Sequence, residues 1–187
     1  MNWHHAIKDF EHYLRIERGL SENSIVSYIL DIERLLKYLE DQNISATPLS
    51  IEKDTVQQFV FETAKLVNPR SQSRIISGLK SFFNYLVFEN YRDTNPMELI
   101  ESPKVGRKLP DTLSVEEIDL IISQIDLSTP EGERNRAMIE TLYGCGLRVS
   151  ELITLKISSL FFNEGYISVT GKGNKQRFVP IADVTEK

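Results

Sequence analysis

The sequence of 187 residues contains one cysteine, three histidines and no long hydrophobic run. The lone Cys145 excludes an internal disulfide framework and a four-cysteine metal site. His4, His5 and His12 all lie near the start, so a histidine metal site or catalytic triad is not expected. No apolar run approaches the roughly 20 residues that span a bilayer. The N-terminus also lacks a signal-peptide pattern, and we therefore expect a cytoplasmic protein with no membrane segment and no metal.

Hydrophobic residues make up 41% of the chain and charged residues 26%, with a formal net charge of −5. This composition is typical of a folded globular protein with one or two domains. Basic residues nevertheless occupy three stretches without acids, within 62–89, 101–111 and 164–183. Such stretches bind a polyanion if they fold onto one surface, because phosphate contacts depend on local potential. Chance alone also produces acid-free stretches in a chain of this length.

Apolar residues at helical spacing predict four amphipathic helices in the first ninety residues. The predicted helices contain Trp3 to Leu14, Ile25 to Leu39, Val56 to Val60, and Ile75 to Leu86, with Ser71 as the cap of the fourth. Four short amphipathic helices of this kind form a small bundle.

The fourth predicted helix places Ser71, Arg74, Ser77, Gly78 and Lys80 away from its most apolar face. Arg74, Ser77 and Lys80 share one face by 3.6-residue geometry. Long basic and short polar side chains on one face suit a DNA major groove, where they reach phosphates and base edges. A solvated surface helix has the same pattern.

Helical periodicity stops between residues 91 and 110, where prolines and glycines accompany Lys104, Arg107 and Lys108. We predict a helical domain over 1–102, a basic linker over 103–112 and a second domain over 113–187. The linker either follows a nucleic-acid backbone or serves only as a solubilising hinge.

The second domain begins with a capping box of Ser114 and Glu117, and Thr129-Pro130 starts another helix. Gly144 and Gly146 are expected to end that helix before a short one over 147–155. The period then changes to two, which predicts strands at 166–169 and 176–181 and a third at 160–162.

Two motifs in this domain contain candidate catalytic residues: GCGLRVSEL at 144–152 and TGKGNKQR at 170–177. Arg148 can present a guanidinium fork to a phosphate, with Glu151 on the same helix face to orient it. Lys172 lies at a hairpin tip, from which a lysine can protonate an alkoxide leaving group. Taken alone, each motif also has an ordinary explanation: Arg148 and Glu151 form a surface ion pair, and most turn lysines are merely solvated.

The two motifs occur in order after ERGLSENSIVSYILDIERLLKYL in the helical domain and NPMELIESPKVGRKLPDTLS across the linker. This collinear set resembles the tyrosine recombinase (phage integrase) family, and the Xer-type members in particular. The resemblance implies a mainly α fold with a small β-sheet. In it, a four-helix SAM-like core-binding bundle precedes the first part of a mixed α/β catalytic domain.

The resemblance implies that Arg148 binds the scissile phosphate, Glu151 supports it and Lys172 protonates the departing 5′ oxygen. The family's nucleophile is a tyrosine that forms a 3′-phosphotyrosine bond, without a metal or other cofactor. None of the seven tyrosines matches it, and the family's His-x-x-Arg is not found after the hairpin. We therefore expect an N-terminal portion of a recombinase that binds DNA but cannot cleave it alone.

The expected partners are double-stranded DNA, an XerC-like partner recombinase in a tetramer on DNA, and a septal DNA translocase, with chromosome dimer resolution as the task. Three alternatives stay open: a non-catalytic DNA-binding module, a mobile-element integrase, and a helical scaffold that binds no nucleic acid. The predicted DNA-binding residues are Arg70, Ser71, Arg74, Ser77, Lys80, Lys104, Arg107, Lys108, Lys175 and Arg177.

Overall fold

The computed structural model describes residues 1–106, 109–171 and 173–181. The chain divides into two compact units, Met1–Lys108 and Leu109–Lys187. The first unit is helical, and the second combines helices with a small antiparallel sheet. The expected mainly α fold with a small sheet is therefore confirmed. In the part of the chain that the structure describes, no helix has the length and apolar character needed to cross a membrane.

The first unit contains the four helices that the apolar spacing predicted. They are α1 (Trp3–His12), which continues into a π-helical turn at Tyr13–Glu17, α2 (Glu22–Asp41), α3 (Lys53–Leu66) and α4 (Pro69–Phe88). Their apolar faces meet in one core. Amphipathic helices of this length are stabilised mainly by such packing rather than by intrinsic propensity.

An aromatic cluster occupies the centre of this core, around the fully buried Phe82 of α4. Its ring centroid lies 5.2 Å from that of Phe83, 5.4 Å from that of Phe10 and 6.2 Å from that of Trp3. Edge-to-face and stacked aromatic pairs at these separations add to the energy of area burial. The cluster therefore fixes α1 against α4.

Helix α4 begins earlier than predicted. Asn68 is its N-cap, and its side-chain Oδ1 accepts a hydrogen bond of 2.9 Å from the Ser71 N–H. Pro69 is the first helical residue, where a missing N–H costs nothing. The prediction that Ser71 caps this helix is wrong, because Asn68, three residues upstream, is the cap and Pro69 supplies the first helical residue.

Gly78 is buried, although the sequence pattern places it away from the most apolar face of α4. At this position α2 approaches α4 so closely that a Cβ on Gly78 would lie 2.6 Å from Asp31 Oδ2. The absence of a side chain at Gly78 is what admits the Asp31 carboxylate.

The irregular segment after α4 belongs partly to the first unit. The Arg92 guanidinium donates to the carbonyls of Pro48 at 2.7 Å and Ile51 at 2.9 Å. Met97 and Ile100 are buried in the helical core. The chain from 91 to 100 is thus fastened to the bundle.

The second unit contains α5 (Val115–Ser123), α6 (Pro130–Cys145), α7 (Val149–Ile153), β1 (Leu160–Phe161), β2 (Tyr166–Thr170) and β3 (Gln176–Pro180). The strands form an antiparallel sheet in the order β1-β2-β3. Both predicted starts are confirmed: Ser114 and Glu117 form a capping box, and Thr129 caps α6 ahead of Pro130.

The core of the second unit lies between the end of α6 and the sheet. Cys145, the last residue of α6, and Leu147, which follows the helix, pack with Ile167 and Val169 of β2. The two β2 residues alternate with less buried neighbours, as the period of two predicted. This packing places the start of α7 beside the β2–β3 hairpin.

Candidate functional site

Glu151 in α7 is the centre of the candidate site. Its side chain is only 2% exposed. Oε1 accepts hydrogen bonds from Arg148 Nη1 at 2.9 Å and from Arg177 Nη1 at 2.6 Å. Oε2 accepts from the Arg148 backbone N–H at 2.8 Å and from Arg177 Nη2 at 2.9 Å. One buried carboxylate thus joins two guanidinium groups.

The backbone at Gly146 brings Arg148 to this carboxylate. Gly146 has a φ of +57° and closes α6 in the left-handed conformation that favours glycine. The chain then reverses, and Arg148 becomes the extended N-cap residue of α7. Gly144 lies inside α6, so the prediction that both glycines break the helix holds for Gly146 alone.

The β2–β3 hairpin adds the second side of the site. The Gly171 N–H donates to the Lys175 carbonyl at 2.8 Å. A Cβ on Gly171 would lie 3.1 Å from Glu151 Oε1, so the hairpin backbone passes directly over the carboxylate. Lys172, the predicted general acid, lies outside the described residues. Its convergence with Arg148 stays a prediction.

The two arginines keep Glu151 ionised. The side-chain hydrogen bond from Arg177 is the largest cause that holds the pKa of Glu151 well below its usual value, and the Arg148 backbone N–H is the next. A lowered carboxyl pKa stabilises the fold above the usual glutamate range, and this contribution is lost as the pH falls through the folded-state value. Glu151 therefore supports the site as an anion and does not exchange protons near neutral pH.

Arg148 differs from Glu151 in being open to solvent, with 68% of its side chain exposed. Among the described residues, only one of its side-chain nitrogens donates a hydrogen bond. Since a guanidinium carries five N–H donors, the others can bind an anion. An anchored, exposed guanidinium of this kind has donors that can bind a phosphate or a carboxylate.

The first unit carries a separate candidate surface along α4. Three cavities, of about 380, 650 and 360 Å³, follow this helix. Ser77 lines the first two of them, Lys80 lines the last two, and Arg74 lines the first. The structure thus brings the three side chains to one concave face, as their spacing predicted. Arg18 and Asn84, which the sequence analysis did not select, also line this surface.

Arg74 is held in this surface by Asp31, which the sequence analysis missed. Its Nη1 donates to Asp31 Oδ2 at 2.8 Å, and the carboxylate is 2% exposed. Oδ1 is buried and has no hydrogen-bond partner among the described residues. Burial raises the pKa of Asp31, and the Arg74 charge offsets only part of this effect.

The other predicted DNA-binding residues are distributed over both units. Arg70 and Lys104 are exposed, Ser71 is half-buried in the first turn of α4, and Lys175 is exposed in the hairpin. Arg177 contacts Glu151 with both terminal nitrogens. Arg107 and Lys108 lie outside the described residues.

Two family models match the chain. The N-terminal SAM-like domain of phage integrases matches residues 7–90, and the phage integrase family matches residues 111–186. The tyrosine recombinase XerD of Oceanobacillus iheyensis is 41% identical over 183 residues, which cover 97% of this chain and 61% of that protein. The chain therefore spans about three fifths of the length of this relative.

Solved structures have the same fold. A lambda integrase tetramer bound to a Holliday junction matches 96% of the chain, and 51% of its own, with a TM-score of 0.74 at 21% identity. The XerH site-specific recombinase bound to palindromic difH substrate matches 96% of the chain, and 53% of its own, with a TM-score of 0.69 at 21% identity. With both family models matched in order over most of its length, the chain belongs to the phage integrase family, the tyrosine recombinases, and resembles its Xer-type members.

Proposed function

We propose that this chain grips duplex DNA and binds the scissile phosphate in site-specific recombination by a Xer-type tyrosine recombinase. The observation that carries the proposal is the exposed Arg148 guanidinium, anchored on the buried Glu151 carboxylate. The identity to XerD supports the same assignment.

The anchored, exposed position of Arg148 supports a role in stabilising charge during phosphoryl transfer. Its position is fixed by Glu151 before the substrate arrives, and its remaining donors face solvent. A donor that is already oriented needs no reorganisation as charge develops on the non-bridging oxygens. In this proposal Arg148 binds those oxygens and Lys172 protonates the departing 5′ oxygen.

The nucleophile of the family is a tyrosine, and the proposal assigns none of the seven in this chain to that role. Five of them lie in the first unit. In the second unit, Tyr143 belongs to α6 and is exposed, and Tyr166 is packed between Phe161 and Phe178, with ring centroids 4.9 and 5.1 Å away.

We predict that this chain alone forms no covalent adduct with a suicide DNA substrate, because covalent catalysis requires the nucleophile. Denaturing gel electrophoresis of the reaction checks this result. The XerD of Oceanobacillus iheyensis serves as the positive control. A shifted protein–DNA band with this chain would contradict the prediction and would identify one of its own tyrosines as a nucleophile.

For the first unit, we predict that Lys80→Ala and Arg70→Ala each weaken duplex binding by about three- to tenfold at low salt. The slope of log K against log salt should become shallower by about 0.9 for each phosphate that the variant no longer neutralises. Fluorescence anisotropy over a salt series measures both quantities. Arg74 is a less suitable probe, because its removal would leave the buried Asp31 carboxylate unpaired.

Lys37→Ala is the matched control for these two variants. Lys37 is an exposed lysine of α2 that does not line the three cavities along α4. Its removal changes the net charge equally and should leave the salt slope unchanged. Equal reductions in affinity for all three variants would mean that α4 contributes only general electrostatic attraction.

The proposal extends to partners and place of action. A lambda integrase tetramer has been solved on a Holliday junction, which supports a tetramer with an XerC-like partner recombinase on DNA. We further propose activation by a septal DNA translocase, chromosome dimer resolution as the task and a cytoplasmic location, which the resemblance to Xer-type recombinases implies. Cooperative binding to a duplex with two half-sites, measured with and without the partner recombinase, tests the assembly.

A further inference from the structure

Arg177 donates two hydrogen bonds to the buried Glu151 carboxylate. It lies on β3 opposite Val169, 26 positions after Glu151 in sequence. Its two terminal nitrogens contact the two oxygens of Glu151, at 2.6 and 2.9 Å. This parallel two-bond arrangement is the strongest geometry that an arginine forms with a carboxylate.

The Glu151 carboxylate needs this second arginine. An ionised carboxylate offers about four acceptor positions. Arg148 fills two of them through Nη1 and its backbone N–H, and Arg177 fills the other two. A buried carboxylate with half of its acceptors unsatisfied is strongly disfavoured, so without Arg177 the carboxylate would turn toward water.

The charges of the cluster explain why Glu151 must stay between the two guanidinium groups. Both Nη1 atoms lie within 3 Å of the same Oε1, at 2.9 and 2.6 Å. Two cations this close repel each other unless an anion separates them. The group as a whole has one excess positive charge, which is available to an incoming phosphate through the exposed Arg148.

We propose that Arg177 is a positioning residue: it holds Glu151 in place and thereby fixes the orientation of Arg148, instead of gripping DNA itself. The orienting role stands on the contacts alone, and its consequence for phosphate binding rests on the proposed function. Direct binding of DNA by the same two nitrogens would require Arg177 to release Glu151.

The orientation of Arg148 is measured by NMR on protein labelled with ¹⁵N-arginine. In the unmodified chain, the Arg148 guanidinium resonances should be sharp, with slow rotation about the Cζ–Nη bonds. Arg177→Gln should speed this rotation at least about tenfold, because a bond to a charged partner is worth roughly that factor or more. Arg177→Lys, which keeps one charged donor, should restore part of the restriction. Lys175→Gln removes an exposed cation from the same hairpin, and it should leave the rotation of the Arg148 guanidinium unchanged.

Duplex binding supplies the second readout. Arg148→Gln and Arg177→Gln should each reduce affinity by about tenfold, and the double variant should lose little more than either single one. Additive losses with unchanged Arg148 dynamics would overturn the proposal in favour of direct DNA contact by Arg177. Unchanged duplex binding in Arg148→Gln, together with faster Arg148 rotation in Arg177→Gln, would refute phosphate binding but leave the positioning role standing.

Circular dichroism and the unfolding midpoint show whether each variant is folded. If Arg177→Gln unfolds the second unit, Arg177→Lys becomes the deciding variant. Arg148 that stays as restricted in folded Arg177→Lys as in the unmodified chain, while duplex affinity falls, would overturn the positioning role, because Arg177 would then act on DNA directly.

Discussion

Phe82→Ala is expected to destabilise the first unit by about 3–5 kcal/mol, the typical cost of removing a fully buried aromatic ring. The ring is completely buried and contacts the rings of Trp3, Phe10 and Phe83. The surrounding helices cannot collapse into the space without shifting α1 against α4. For a unit of about one hundred residues, this loss lowers the unfolding midpoint by more than about 10 °C.

The single tryptophan makes the measurement specific to this unit, because Trp3 lies beside Phe82 and belongs to the same core. Thermal unfolding followed by Trp3 fluorescence therefore reports the first unit alone. Phe88→Ala is the matched control, since Phe88 is on the same helix but 66% exposed. A midpoint shift no larger in Phe82→Ala than in Phe88→Ala would mean that Phe82 does not hold the core together.

Local signals in the sequence were sufficient for most of the secondary structure. The Ser114–Glu117 capping box and the Thr129-Pro130 start act within one helical turn, so the sequence alone reveals them. The alternation in β2 is equally local. The errors are local as well: Asn68-Pro69 is typical of a turn, yet the same dipeptide is a strong helix start and begins α4 here.

Contacts between distant residues could not be predicted in this way. Arg148 and Glu151 are three positions apart, and helical spacing suggests their pairing. Arg177 reaches Glu151 from 26 positions away, and Arg74 reaches Asp31 from 43 positions away. Neither pair leaves a periodic signal, because each depends on how two elements pack. From the sequence, we accordingly predicted that Arg74 and Arg177 bind DNA. In the structure, each forms an ion pair with a buried carboxylate.

The packing of α2 on α4 leads to the second large effect, which is expected for Gly78→Ala. The added Cβ would lie 2.6 Å from Asp31 Oδ2 and 3.1 Å from Asp31 Cβ. Alanine gains about 1 kcal/mol in helix propensity, but the two helices must separate or Asp31 must leave its site. We expect a net destabilisation of about 1–3 kcal/mol, the usual cost of overpacking, together with weaker duplex binding as Arg74 loses its anchor.

Two comparisons make this result specific. Gly106→Ala adds the same methyl group where no atom lies within 4 Å, and it should change the unfolding midpoint little. In the Gly78→Ala/Asp31→Ala double variant, the clashing carboxylate is gone, so the loss of stability should be smaller than the sum of the two single losses. Additive losses would contradict a steric clash between Asp31 and an alanine at position 78. Since Arg74 hydrogen-bonds Asp31 beside this glycine, the close approach of α2 and α4 sets both the stability of the bundle and the position of a cation on the surface that we assign to DNA.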